Sequence, residues 1–127
     1  MRLLLDRHAF LWFMTGDARF SRAARRALEA ADNEPILSAA SVWELGIKAG
    51  LGRLTLPGSV AAYVAEKVEQ GLRVLSVDWT HAAAVEKLPS QHGDPFDRLL
   101  AAQSLAEKLP LVTGDRAFRT YGVQVIW

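Results

Sequence analysis

The chain reads as an α/β domain built on a central, mainly parallel five-stranded sheet flanked by helices. Three observations point there. Five short apolar runs, at 2–5, 35–38, 73–77, 109–113 and 123–127, have the length and make-up of strands. The segments between most of them are long enough for helices and carry helical spacing, which a parallel crossover requires and a hairpin does not. Acidic residues follow three of the runs, where strand ends of an open α/β sheet line a crevice.

Each element has its own local reason. The first run, Leu3-Leu4-Leu5, is closed by Asp6, and residues 8–14 are apolar almost all round. Residues 21–31 are rich in Ala and Arg, with Ser21 placed to cap a helix. After the second run, residues 39–49 set Val42, Leu45 and Ala49 at close to the helical period. The stretch 50–57 reads as a loop. Pro57-Gly58 is a break signal before a helix over 59–70, with Val60, Tyr63, Val64 and Val68 on one side. Helices over 80–88 and 95–108 follow the third run and lead into the fourth. No repeat, low-complexity tract or linker interrupts the chain, so one domain spanning 1–127 is expected.

Composition narrows the function. With 127 residues, half of them hydrophobic and 23% charged, the chain suits one globular core burying roughly two-thirds of its unfolded surface. A formal net charge of +1 excludes a polycation, so any nucleic acid must be met by a local patch. The absence of cysteine removes disulfides and thiolate metal sites and is compatible with a reducing cytosol. No apolar stretch approaches the roughly 20 residues of a membrane span. The apolar start is broken by Asp6, Arg7 and His8, too early for a secretion signal. A soluble, cytoplasmic protein with no membrane partner is expected.

Asp6, Glu44, Asp97 and Asp115 carry the chemistry. Several carboxylates sharing one crevice repel one another unless a cation lies among them. Oxygen ligands without cysteine, and with few histidines, suit Mg²⁺ or Mn²⁺ better than Zn²⁺. Each acid also has a structural reading. Asp6 fits a helix cap, Asp115 fits the cap of a short turn, and Ser41-Val42-Trp43-Glu44 fits a capping box. In Asp94-Pro95-Phe96-Asp97, the proline suits the first helical position. Asp94 is therefore expected as the cap and Asp97 as the ligand, with Asp94 as a lesser ligand candidate.

Taken together, Leu3-Leu4-Leu5-Asp6, Ser38 to Leu45 with Ile47-Lys48, Gly93-Asp94-Pro95-Phe96-Asp97-Arg98-Leu99-Leu100-Ala101-Ala102-Gln103 preceded by His92, and Leu111-Val112-Thr113-Gly114-Asp115 resemble the PIN-domain ribonucleases, specifically VapC-type toxins of toxin–antitoxin pairs. The likeness runs from end to end. It implies a PIN-like fold and a Mg²⁺- or Mn²⁺-dependent endoribonuclease of a type II module, usually dimeric and inhibited by a cognate antitoxin. It also implies that Asp6, Glu44, Asp97 and Asp115 are its acidic site residues. One position departs: where this family usually has a hydroxyl residue after the first Asp, the chain has Arg7. A guanidinium has only donors and cannot accept from a bound water as a hydroxyl does. Arg7 would pair with Asp6, reach an RNA phosphate, or point to solvent. A catalytically weak or inactive PIN fold that binds RNA or antitoxin is the alternative this raises.

Within that reading, Asp6 and Asp97 are expected as direct ligands. Glu44 and Asp115 would serve a second ion, hold waters or take a proton, and Thr113 would orient a water. Lys48, Arg53, Arg98, Arg116 and Arg119 flank the acid-bearing segments and are the candidates for RNA phosphate, with Arg7. Trp12, Phe13, Met14 and Phe20, with Arg19, Arg22, Arg25 and Arg26, read either as core aromatics beside an exposed helix or as a groove for an antitoxin peptide. Trp43 is expected in the core or a dimer contact. His8, His81 and His92 share no metal spacing and receive no catalytic role. A haloacid-dehalogenase-type phosphatase wants a second Asp where His8 stands, and a receiver domain wants a Lys after its fifth strand. No glycine-rich nucleotide loop occurs.

Overall fold

A computed structural model describes residues 1–89 and 93–127. His92 of the motif above lies outside the described residues.

β1 (Arg2–Leu5) is the centre of the sheet. It is followed by α1 (Arg7–Thr15), α2 (Arg22–Glu29), β2 (Glu34–Ser38), α3 (Ala39–Gly50), α4 (Val60–Glu69) and β3 (Arg73–Leu75). α5 (Trp79–Ala84) runs into a 3-10 turn at Val85–Lys87, then come α6 (Pro95–Glu107), β4 (Leu111–Val112), a 3-10 turn at Arg116–Tyr121 and β5 (Val125–Ile126). The strand order is β3-β2-β1-β4-β5 and every pairing is parallel. The chain winds outward from β1 to β3, then returns to the other side of β1. The switch point therefore falls between β1 and β4, where crevices open at the carboxyl edge of such sheets.

Alternation along the strands sorts the core into two layers. Leu3, Leu5, Leu37 and Val112 pack with Phe10, Leu45 and Tyr63 on one side. Leu4, Ile36 and Leu111 pack with Leu100, Ala101 and Phe118 on the other. Leu3, Leu4 and Leu5 of β1 are completely buried, as a central parallel strand covered on both faces requires.

Caps behave largely as the residue types dictate. Ser21 accepts from the Ala24 amide and Ser59 from the Ala62 amide. Asp94 accepts from the Phe96 and Asp97 amides ahead of Pro95. α6 ends at Lys108, whose left-handed φ of 55° closes the helix. Three expectations are corrected. β3 stops at Leu75 because it is an edge strand with Val74 and Val77 exposed. The helix over 80–88 is shorter, capped by Asp78 with the His81 ring reciprocating, and finishes as a 3-10 turn. Val68 points outward rather than joining Tyr63 and Val64 in the core. Among the described residues no helix is long and apolar enough to cross a membrane.

Candidate active site

At the switch point, Asp6 follows the end of β1 and Thr113 follows the end of β4. Asp6 caps α1: its Oδ1 accepts from the Ala9 amide at 2.7 Å and its Oδ2 accepts from the Thr113 hydroxyl. Thr113 Oγ1 in turn accepts from the Asp115 amide at 3.0 Å. One buried hydroxyl thus ties two strands and two acids together. Burial pushes the Asp6 carboxyl up, while the bonds from Thr113 and Ala9 pull it down.

Glu44 comes from the second turn of α3. The Ser41–Glu44 capping box does not form, because the helix starts three residues earlier. Ser38, at the end of β2, is the cap and accepts from the Ala40 amide. That leaves the Glu44 carboxylate facing the crevice, where Arg7 Nε lies 3.4 Å from its Oε1. Burial raises Glu44, Arg7 opposes that rise, and Asp94 adds to it. Arg7 therefore pairs with Glu44, not with Asp6, and is not turned to solvent.

Asp97 follows from Asp94 taking the cap. Burial first, then the charges of Asp94, Glu44, Asp115 and Asp6, lift its carboxyl from 3.8 to about 7. Asp115 caps the 3-10 turn through the Ala117 amide. All four expected acids, with Asp94, line one cleft of about 160 Å³. The walls also hold Arg7, His8, Ser41 and Lys48.

The donor set is entirely hard oxygen, and the mutual rise of Asp97 is the repulsion a hard cation relieves. In kind and common placement the carboxylates fit Mg²⁺ or Mn²⁺. As they stand, no three Asp, Glu or His side chains among the described residues close on a point that would hold an ion. Asp6, Asp94 and Asp115 are engaged with local amides. Glu44 is paired with Arg7, and the Asp97 carboxylate accepts from no amide among the described residues, so Asp97 is the side chain best placed to close.

Of the basic candidates, Lys48 and Arg7 line the cleft. Arg98 instead donates to the Pro89 carbonyl at 3.0 Å and lies over the Tyr121 ring. Arg53, Arg116 and Arg119 are exposed outside the cleft lining. His8, given no role from sequence, lies in the wall and accepts from Arg7 Nη2 at 3.0 Å through Nε2. Only its position two residues past Asp6 hinted at this.

The aromatic region divides. Phe20 is core, while Trp12, Phe13 and Met14 are partly buried against it. Trp12 packs on Trp127 at 5.9 Å, and Arg19, held by Asp17, lies 4.8 Å over the Trp12 ring. Trp12, Trp127 and Arg19 line a second hollow that shares Asp6 and Asp115 with the acidic cleft. Gly114 permits this, since a Cβ there would come within 3.0 Å of the Trp127 ring. Trp43 is 62% exposed and packs edge-on against Phe96, which removes it from the core.

A fully parallel sheet with carboxylates collected at its switch point defines an α/β domain with an acidic cleft. Residues 3–124 match the PIN domain family. The chain is 35% identical to ribonuclease VapC22 of Mycobacterium tuberculosis over 94% of its own length and 91% of that protein. The crystal structure of VapBC2 from Rickettsia felis, bound to a DNA fragment from its promoter, superposes with a TM-score of 0.71 at 16% identity, covering 98% of this chain and 97% of that one. FitAcB from Neisseria gonorrhoeae gives 0.64 at 24% identity, covering 98% and 96%. This chain belongs to the PIN-domain family.

Proposed function

We propose that this chain, as a single domain over 1–127, is a Mg²⁺- or Mn²⁺-dependent endoribonuclease. It is the toxin of a type II toxin–antitoxin module, acting on RNA in the cytoplasm. The observation that carries the reading is the convergence of Asp6, Glu44, Asp97 and Asp115 on one cleft at the switch point. The relative named a ribonuclease, at 35% identity over nearly the whole chain, supports it.

Asp6 and Asp97 would hold the cation, with Glu44, Asp115 and Asp94 lining the same cleft. A bound divalent ion supplies Lewis acidity toward the phosphate and the attacking water. The chain's own residues do the rest. Thr113 locks the Asp6 carboxylate through its hydroxyl. Lys48 offers charge to the RNA backbone at the cleft wall. Arg53, Arg98, Arg116 and Arg119 extend that charge outside it.

The solved VapBC and FitAB assemblies support an antitoxin partner. A homodimer is supported by Trp43, Ile47 and Leu51, which expose an apolar stripe at helical spacing from α3 onward. Asp6→Asn keeps the cap geometry and is expected to abolish Mn²⁺-dependent RNA cleavage with an unchanged circular dichroism spectrum. Cleavage at the wild-type rate removes Asp6 from the mechanism.

The Arg7–Glu44 pair favours a second reading, a catalytically weak or inactive PIN fold that binds RNA or antitoxin. Purified protein that binds RNA but leaves it intact with and without Mn²⁺ would decide for it.

A further inference from the structure

This inference rests on the nuclease reading and concerns which residue meets the substrate. We propose that Arg7 is the phosphate-receiving residue of the cleft, that Glu44 holds it ready until RNA arrives, and that its guanidinium keeps a divalent cation off Glu44.

The geometry is specific. Arg7 opens α1, directly after Asp6, which follows the buried end of the central strand and caps the helix. Its side chain is only 18% exposed and Glu44's only 13%, so the pair sits inside the cleft rather than on a solvated rim. Three of its nitrogens divide the work. Nε lies against Glu44 Oε1 at 3.4 Å, a long contact for a guanidinium and carboxylate. Nη2 is held by His8 Nε2 at 3.0 Å. Nη1 has no partner among the described residues and belongs to a side chain that lines the cleft.

This is a fork oriented from two sides with donors to spare. Guanidinium forks match phosphate oxygens better than a lysine point charge does. Holding the side chain in advance also reduces the entropy lost on binding. The cleft holds five carboxylates against Arg7 and Lys48, so an approaching phosphodiester needs a fixed cation inside the ring of acids. Arg7 is the one placed next to Asp6. The same placement means that a cation approaching Glu44 must displace a positive charge already there.

Two binding measurements with opposite expected signs test it. Mn²⁺ alone is titrated into the protein by calorimetry. A fluorescein-labelled 2′-O-methyl oligoribonucleotide is titrated in EDTA by anisotropy across a range of salt. In Arg7→Gln, Mn²⁺ affinity is expected to rise about tenfold and oligonucleotide affinity to fall about tenfold. The salt dependence of oligonucleotide binding should lose about 0.7 from its log–log slope, one phosphate contact on a single strand.

Glu44→Gln releases Arg7 and should strengthen oligonucleotide binding, a gain that the double variant loses. A residue that merely supports the fold lowers both affinities together, and that result overturns the proposal. So does a Glu44→Gln gain of equal size with and without Arg7. Wild-type protein that binds no Mn²⁺ and cuts no RNA overturns the nuclease reading and this proposal with it. Wild-type protein that does both, with Arg7→Gln moving neither affinity, overturns this proposal alone.

Discussion

Asp97 shows how a cluster changes the chemistry of one side chain. Its proton is favoured in the folded state, with the carboxyl raised to about 7 by burial and four neighbouring carboxylates. A raised carboxyl stabilises the fold while protonated and ceases to do so as it ionises. Stability of the metal-free protein should therefore fall as pH rises from about 4, through the unfolded value, to about 7. Thermal unfolding in EDTA at pH 5 and pH 8 measures the fall, and Asp97→Asn should flatten it. Excess Mn²⁺ at pH 8 should raise the midpoint of the wild type more than that of the variant. An unchanged pH profile in Asp97→Asn would place the titration elsewhere.

Between elements, the relevant contact is the one that sets α3 against α6, since these helices carry Glu44 and Asp97. Gln103 of α6 is fully buried. Its Oε1 accepts from the Ser38 hydroxyl that caps α3, and its amide reaches the Ser76 carbonyl and the His81 ring. His81 closes the chain of bonds against Glu107 of the same helix. Gln103→Leu strands these buried groups and is expected to cost about 1–3 kcal/mol. Denaturant unfolding reads that cost, and RNA cleavage should fall as well, because the helix carrying Glu44 loses its tie to the helix carrying Asp97. Full activity at reduced stability would mean that the two helices hold their spacing without it.

For the molecule as a whole, the exposed stripe of Trp43, Ile47 and Leu51 is an apolar feature the core does not explain. The proposed homodimer would use this stripe, so Trp43→Asp with Leu51→Asp should shift the mass in light scattering from dimer to monomer while leaving a cooperative unfolding transition. A dimer that persists in this variant places the interface on another face.

The local grammar of the chain was legible in its residues. The strand runs, the crossover helices, the Ser21 and Asp94 caps, and acids placed after strands all follow from rules that act within a few residues. Partners far apart in the chain obey no such rule. That Asp6 meets Thr113, 107 positions away, depends on the chain returning past β1 to lay down β4. Ser38, not Ser41, caps α3 because β2 feeds straight into the helix, and this is what turns Glu44 toward the crevice. Arg7 lies against Glu44 rather than its neighbour Asp6 for the same kind of reason. Which donor reaches which acceptor is settled by how helices pack over the sheet, and that packing is a property of the assembled core.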